Sequence, residues 1–380
     1  MSKRIYLSSP HMGGTEQKYV NEAFETNWIA PLGPNVNEFE KVVANYVGVK
    51  DAAALTSGTA AIHLALKAIG VKQDDLVFCS SLTFAASCNP IIYEGAIPVF
   101  IDSEPDSYNM SPKALEKAFK YCEEINKMPK AVIIVNLYGQ SADMYPLIEL
   151  CKKYNVQIIE DAAESLGATY NGKKSGTFGD YGIFSFNGNK IITTSGGGML
   201  VSNDEEAIKK VRFWSTQARE NKPYYEHKEL GFNYRMSNVV AGIGRGQMEV
   251  LEQRIKKKKE IFTLYKEAFK EILQLKMAKE MDYGQSNYWL SIMTVDEKSE
   301  VKPKDIIEVL ENNNIEARHI WKPMHMQPYY KEYKFFNHND ENEESISQKV
   351  FRNGICLPSD TKMTIEEQKK VINLIKDLFN

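Results

Sequence analysis

Cysteine is scarce in this chain. Its five residues, Cys79, Cys88, Cys122, Cys151 and Cys356, are far apart, odd in number, and form neither a C-x-x-C pair nor a histidine spacing suited to zinc. That argues against a disulfide framework and against a metal site; the thiols read as reduced packing residues. Long hydrophobic runs are missing too. No stretch approaches the ~20 apolar residues of a membrane span, and the opening MSKRIYLSSPHMGG has no apolar signal region, so a cytoplasmic protein without membrane contact is expected. Neither sign of charge dominates. With 47 Lys and Arg against 50 Asp and Glu the net charge is −3, which leaves no field to attract a phosphate backbone, and nucleic acid is not an expected partner. The basic run Lys256 to Lys259 sits among Leu251, Ile255, Phe262, Tyr265, Phe269 and Ile272, spaced as the apolar stripe of a helix, and reads as that helix's solvated face.

What is present is ordinary globular usage, 43% apolar and 26% charged over 380 residues. This length suits a large domain, placed at 1–250, and a smaller one at 251–380, because single cores stop growing near ~250–300 residues. Short apolar β-branched runs at 51–55, 75–79, 97–101, 131–135, 156–160, 182–185 and 199–201 predict seven strands. Helical patterns fall between them at 59–68, 84–94, 111–121 and 144–154. Strands apolar on both faces and alternating with helices predict an α/β fold with a mostly parallel sheet, whose ligands gather at the carboxyl ends of the strands. A long helix is expected over 237–276, then an α+β segment with a strand at 288–295, helices at 304–313 and 365–379, and an exposed polar loop at 337–344.

Three segments carry possible chemistry. Thr56-Ser57-Gly58-Thr59-Ala60-Ala61 lies between a predicted strand and helix, where free N–H groups and the helix dipole favour phosphate, although small residues also make ordinary turns there. The strand over 156–160 delivers Glu160, Asp161 and Glu164 to its carboxyl end, where a carboxylate needs a cationic partner such as a protonated pyridine nitrogen, a lysine or magnesium, or else caps a helix. Lys190 stands between Phe184-Ser185-Phe186-Asn187-Gly188-Asn189 and the glycines Gly196 to Gly198. A lysine partly removed from water becomes a nucleophile able to form a Schiff base, while a surface lysine on a glycine turn would look the same in sequence.

Taken together, these segments resemble the DegT/DnrJ/EryC1/StrS family of pyridoxal-phosphate-dependent sugar aminotransferases, of the aspartate aminotransferase fold (fold type I). The likeness runs nearly end to end. It takes in Met12-Gly13-Gly14, NWIAPLG at 27–33, SGTAAIHLAL at 57–66, LYGQSADM at 137–144 and EDAAESLGATYNGKKSGTFGD at 160–180. It continues through FNGNKIITTSGGGM at 186–199, GFNYRMSN at 231–238, WKPMHMQPYY at 321–330 and Leu357-Pro358-Ser359.

The resemblance implies a large domain with a seven-stranded, mostly parallel sheet and a smaller α+β C-terminal domain. It makes Lys190 the catalytic lysine that joins pyridoxal 5'-phosphate and shuttles protons, and Asp161 the partner of the pyridine nitrogen. Glu164 takes the position that contacts the phenolic oxygen. Gly58, Thr59 and Ser185 would bind the phosphate, Phe84 would stack on the ring, and Asn233 would reach the phosphate from the neighbouring subunit of a homodimer with shared sites. Lysine rather than histidine at 190 favours transamination over the family's sugar dehydration. Asn27, Trp28, Ile29 and His325 are implied at the sugar-nucleotide end, with Arg235 and Arg318 as anchors for the carboxylate of L-glutamate, the amino donor. PHMGG, IAPLG, FNGNKIITTSGGGM, STQARE and YEH look closest to the branch that aminates C4 of a UDP-linked 4-keto-6-deoxy-N-acetylhexosamine, in the UDP-N-acetylbacillosamine pathway of surface glycan and glycoprotein biosynthesis. The runner-up is the GDP-perosamine synthase type, acting on GDP-4-keto-6-deoxymannose. A cofactor-binding regulator without turnover is the alternative of another class.

Overall fold

The computed structural model describes residues 4–379. All seven expected strands form one sheet: β1 (Asp51–Leu55), β2 (Leu76–Ser80), β3 (Ile97–Ile101), β4 (Ala131–Val135), β5 (Gln157–Asp161), β6 (Tyr181–Ser185) and β7 (Gly198–Ser202). Their order across the sheet is β1-β7-β6-β5-β4-β2-β3, and β7 alone among them runs antiparallel to its neighbours. Helices cover both faces, so the strands are buried on both sides, which is why they read as continuous apolar runs.

The second half holds β8 (Leu275–Met277), β9 (Ser291–Val295), β10 (Arg318–His319), β11 (Phe335–Phe336) and β12 (Gly354–Leu357). Four of these make an antiparallel sheet, β8-β9-β12-β10, packed around Tyr265, Phe269, Met293, Ile306, Leu310 and Ile375. The fifth, β11, pairs with β3 and becomes an eighth strand of the large sheet, one more than expected. At the other end of the chain, Ile5 pairs with Ile315 and joins the second core. The large sheet thus takes in a segment of the second half, and the second core takes in a residue from the start of the described chain.

Three local expectations are corrected. The helix over 237–276 is two helices, Asn238–Glu249 and Leu251–Phe269, broken at Val250 (φ −112°, ψ 3°). The helix over 84–94 is a 3₁₀ turn, Ala85–Ser87, and a short helix, Asn89–Tyr93. Phe84 is extended (φ −75°, ψ 147°), and Pro90 supplies no N–H to continue a helix through it. The strand over 288–295 starts only at Ser291, because Tyr288 has φ +51°.

Candidate active site

The carboxyl ends of β1, β2, β4, β5 and β6 open on a crevice of about 670 Å³, closed from the other side by Trp289, Arg318 and Trp321. At one end lies the start of the helix Gly58–Ile69. Ser57 caps it: its side chain accepts from the N–H of Ala60 at 3.0 Å and its carbonyl from Ala61 at 3.1 Å. The N–H groups of Gly58 and Thr59 are the two left over by the first turn, and among the described residues none accepts from them. Ser185, at the end of β6, stands against this turn, since a Cβ on Gly58 would lie 3.3 Å from its Cβ. A helix N-terminus with spare donors and a hydroxyl beside it suits a phosphate group.

β7 presses on the same turn: a Cβ on Gly198 would fall 2.2 Å from the carbonyl carbon of Ser57. Gly198→Ala is therefore expected to push the turn outward and weaken binding of pyridoxal phosphate by about tenfold or more, as read by equilibrium dialysis. Affinity within about twofold of the unaltered protein would show that the turn is not the phosphate site.

Asp161 closes β5 and is buried. One carboxylate oxygen accepts from Ser87 Oγ at 2.7 Å and the other from the N–H of Ala163 at 3.1 Å. Burial pushes its carboxyl above the ordinary range, against which both hydrogen bonds and Lys190 act. Glu164 is also buried. It accepts from the N–H of Tyr138 at 2.7 Å and from the ring N–H of Trp321 at 3.3 Å, and burial again pushes its carboxyl up. Lys190 Nζ lies 3.6 Å from Glu164 Oε1 and 3.9 Å from the centre of the Trp289 ring. The third carboxylate, Glu160, takes no part in the crevice: it accepts from Gly176, Phe178 and Asn136 and holds the loop after β5.

Phe84 lines the crevice, is 53% exposed as a residue, and has its ring 5.3 Å from that of Trp321, so it is not the core residue that a phenylalanine beside a helix usually is. Arg318 lines it as well, its guanidinium 2.6 Å from Glu316. The remaining residues singled out by sequence lie elsewhere. Arg235 is buried in an ion pair with Glu40 and donates to the carbonyl of Ala54 at 3.1 Å; its guanidinium is committed there, and of the two arginines only Arg318 lines the crevice. His325 hydrogen-bonds Ser81 Oγ at 2.7 Å and stacks on Phe335 at 3.7 Å. Burial lowers its pKa to about 4, which makes it a neutral packed ring outside the crevice. Asn27, Trp28 and Ile29 are exposed and do not line it. Asn233 is exposed and accepts from Gln217 at 3.2 Å.

Sequence reasoning missed Trp289 and Ser87, and it quoted Tyr138 and Trp321 within motifs without giving either a part. Among the described residues no cluster of three or more His, Cys, Asp or Glu could hold a metal ion, and no helix is long and apolar enough to cross a membrane.

Comparison with known proteins agrees with this geometry. Residues 10–376 match the DegT/DnrJ/EryC1/StrS aminotransferase family. EpsN of Bacillus subtilis, provisionally named a pyridoxal phosphate-dependent aminotransferase, is 56% identical over 380 residues, 100% of this chain and 97% of its own length. A GDP-perosamine synthase of Vibrio cholerae is 36% identical over 99% of both chains. The crystal structure of a DegT DnrJ EryC1 StrS aminotransferase from Brucella abortus superposes with a TM-score of 0.88 at 27% identity, covering 96% of this chain and 95% of that one. Shared sequence along almost the whole chain, shared fold and a crevice of matching chemistry lead to one conclusion: this chain belongs to the DegT/DnrJ/EryC1/StrS aminotransferase family, as a pyridoxal-phosphate-dependent sugar aminotransferase of fold type I.

Proposed function

We propose that the protein moves the amino group of L-glutamate to C4 of a nucleotide-linked 4-keto-6-deoxy sugar, in the cytoplasm and toward a surface glycan. The observation that carries this reading is the placement of Lys190 Nζ, 3.6 Å from Glu164, in the one crevice that also holds Asp161 and the spare N–H groups of Gly58 and Thr59. The residues present suit pyridoxal phosphate: donors at one end, a flat exposed aromatic face at Phe84, and a buried carboxylate that lacks a full positive partner. When bound, the cofactor supplies an electron sink for the substrate carbon and stores the amino group between two half-reactions.

The chain's own residues then divide the work. Gly58, Thr59 and Ser185 bind the phosphate, and Asp161 holds a proton on the ring nitrogen. Glu164, whose carboxyl burial pushes up against the pull of Lys190, contacts the phenolic oxygen. Lys190 takes and returns the proton at the substrate carbon. Arg318 receives a carboxylate of glutamate with its planar fork. Arg318→Ala should accordingly raise the KM for glutamate by about tenfold or more while leaving the KM for the sugar nearly unchanged, in steady-state assays that vary each substrate. Asn233, Asn27, Trp28 and Ile29 lie outside this chain's crevice, so their proposed parts require a homodimer that brings them to the second site.

The carrier nucleotide has two readings. PHMGG, IAPLG and STQARE favour a UDP-linked N-acetylhexosamine; the 36% identity to a GDP-perosamine synthase over nearly the full chain favours GDP-4-keto-6-deoxymannose. The test offers both sugars to the glutamate-loaded enzyme and reads the product's C4 configuration by NMR. Beforehand, glutamate alone should bleach the absorbance near ~410 nm. Retained colour would mean a passive cofactor binder and would overturn the proposal.

A further inference from the structure

Trp289 is 1% exposed and tied down at three points. Its ring N–H donates to the carbonyl of Asn189 at 2.7 Å, the residue beside Lys190. Its backbone N–H donates to Asn287 Oδ1 at 2.8 Å, and the Asn287 amide donates in turn to the carbonyls of Glu164 and Leu166 at 3.0 and 2.9 Å. Its own carbonyl accepts from Lys258 Nζ at 2.9 Å. Lys258 is a lysine where none would be expected: 2% exposed on the helix Leu251–Phe269, with further donations to the carbonyl of Ser359 at 2.6 Å and to Ser8 Oγ at 3.1 Å. Burial lowers its pKa to about 7, opposed by Asp360.

An apolar side chain would fill that space without the desolvation cost of an amine. What the lysine adds is direction, since three bonds fix one carbonyl of the Trp289 backbone against the N-terminal segment and the Ser359 loop. The held indole presents its face to Lys190 Nζ at 3.9 Å, and Glu164 Oε1 lies 3.6 Å from the same nitrogen. An aromatic face attracts a cation, most strongly where water is excluded.

We infer that Trp289, fixed from behind by Lys258, is a positioning residue that defines where the Lys190 ammonium waits between proton transfers. This rests on the function proposed above for Lys190. The test follows the pH midpoint of the visible absorbance of bound pyridoxal phosphate, together with kcat and the KM for glutamate, in Trp289→Leu, Trp289→Phe and Lys258→Met. Loss of the ring face destabilises the positive nitrogen, so Trp289→Leu should lower the midpoint by about half a unit to one unit. It should also cut kcat about tenfold with KM changed less than about twofold. Lys258→Met should move both in the same direction by less. If Trp289→Leu does not fold, Trp289→Phe decides: it keeps an aromatic face, loses the bond to Asn189, and should lower kcat without raising KM. Variants that melt at lower temperature yet keep the midpoint and kcat would make Trp289 a core residue only and overturn the inference. An unaltered enzyme that glutamate does not bleach would instead overturn the parent reading.

Discussion

Lys190→Ala is expected to abolish steady-state amino transfer, with kcat falling by on the order of 10³-fold or more. The argument is one of position. Both half-reactions need a base that removes a proton from one carbon and returns it to another, and the base must reach both without leaving the crevice. Under the proposed function Lys190 is that base, and it lines the crevice on a loop with its neighbours Asn187 and Gly188. The nearest other titratable group, Glu164, cannot replace it: one oxygen is held by the N–H of Tyr138 at 2.7 Å and the other by Trp321 at 3.3 Å. Losing the amine also removes the charge that opposes the upward push of burial on Glu164. The variant should stay folded, because Lys190 caps no helix and contributes to no strand. A glutamate-dependent assay with the keto sugar checks the outcome; a rate above about one per cent of the unaltered enzyme would mean that another group moves the proton. Lys190→Arg should fare no better, since a guanidinium does not give up its proton near neutral pH.

The sheet was legible because strands buried on both faces have to be largely apolar, and runs such as Ala131–Val135 and Ile97–Ile101 show it. β11 was not legible: two residues at a sheet edge carry no periodicity, and their partner β3 lies more than 200 positions away. The break at Val250 was hidden because the apolar spacing passes straight through it; only the fold shows that Val250 crowds Gly13, whose added Cβ would lie 2.8 Å from it. At the site, the residues that lie on strand ends or just beyond, Asp161, Ser185 and Gly58, were readable because topology sends those ends to one place. Arg235 and His325 fall outside this chain's crevice for the complementary reason. A motif says that a residue recurs, not which way its side chain points, and these two point to Glu40 and to Phe335. Trp289 gave no signal at all, since its meaning comes from Asn189 and Lys258, 100 and 31 positions off.

Asp161→Asn should produce two opposite effects in one protein, and that reversal is more telling than either alone. Without cofactor, burial raises the Asp161 carboxyl above its ordinary value, so the folded chain holds this proton more tightly than the unfolded one. The contribution of such a group to stability falls as pH rises from its unfolded value, near ~4, through its folded one. As the pH rises, the cofactor-free protein has to ionise this carboxyl in a site where burial disfavours the charge. Asparagine removes that cost and keeps an oxygen for the N–H of Ala163, while Ser87 Oγ can turn to accept from the new amide. The cofactor-free variant should therefore melt higher than the unaltered cofactor-free protein at pH 8, with the difference shrinking toward pH 4. With pyridoxal phosphate bound, a protonated ring nitrogen would be the missing positive partner, the carboxylate would become favourable, and the order of melting temperatures should reverse. Activity should follow the bound state: an amide cannot hold the nitrogen's proton, and kcat should drop by about a hundredfold or more. Melting curves across pH, with and without cofactor, read both halves. If the variant is less stable than the unaltered protein in both states at pH 8, the Asp161 carboxylate is a structural acceptor for Ser87 and Ala163 and not a charge waiting for the cofactor.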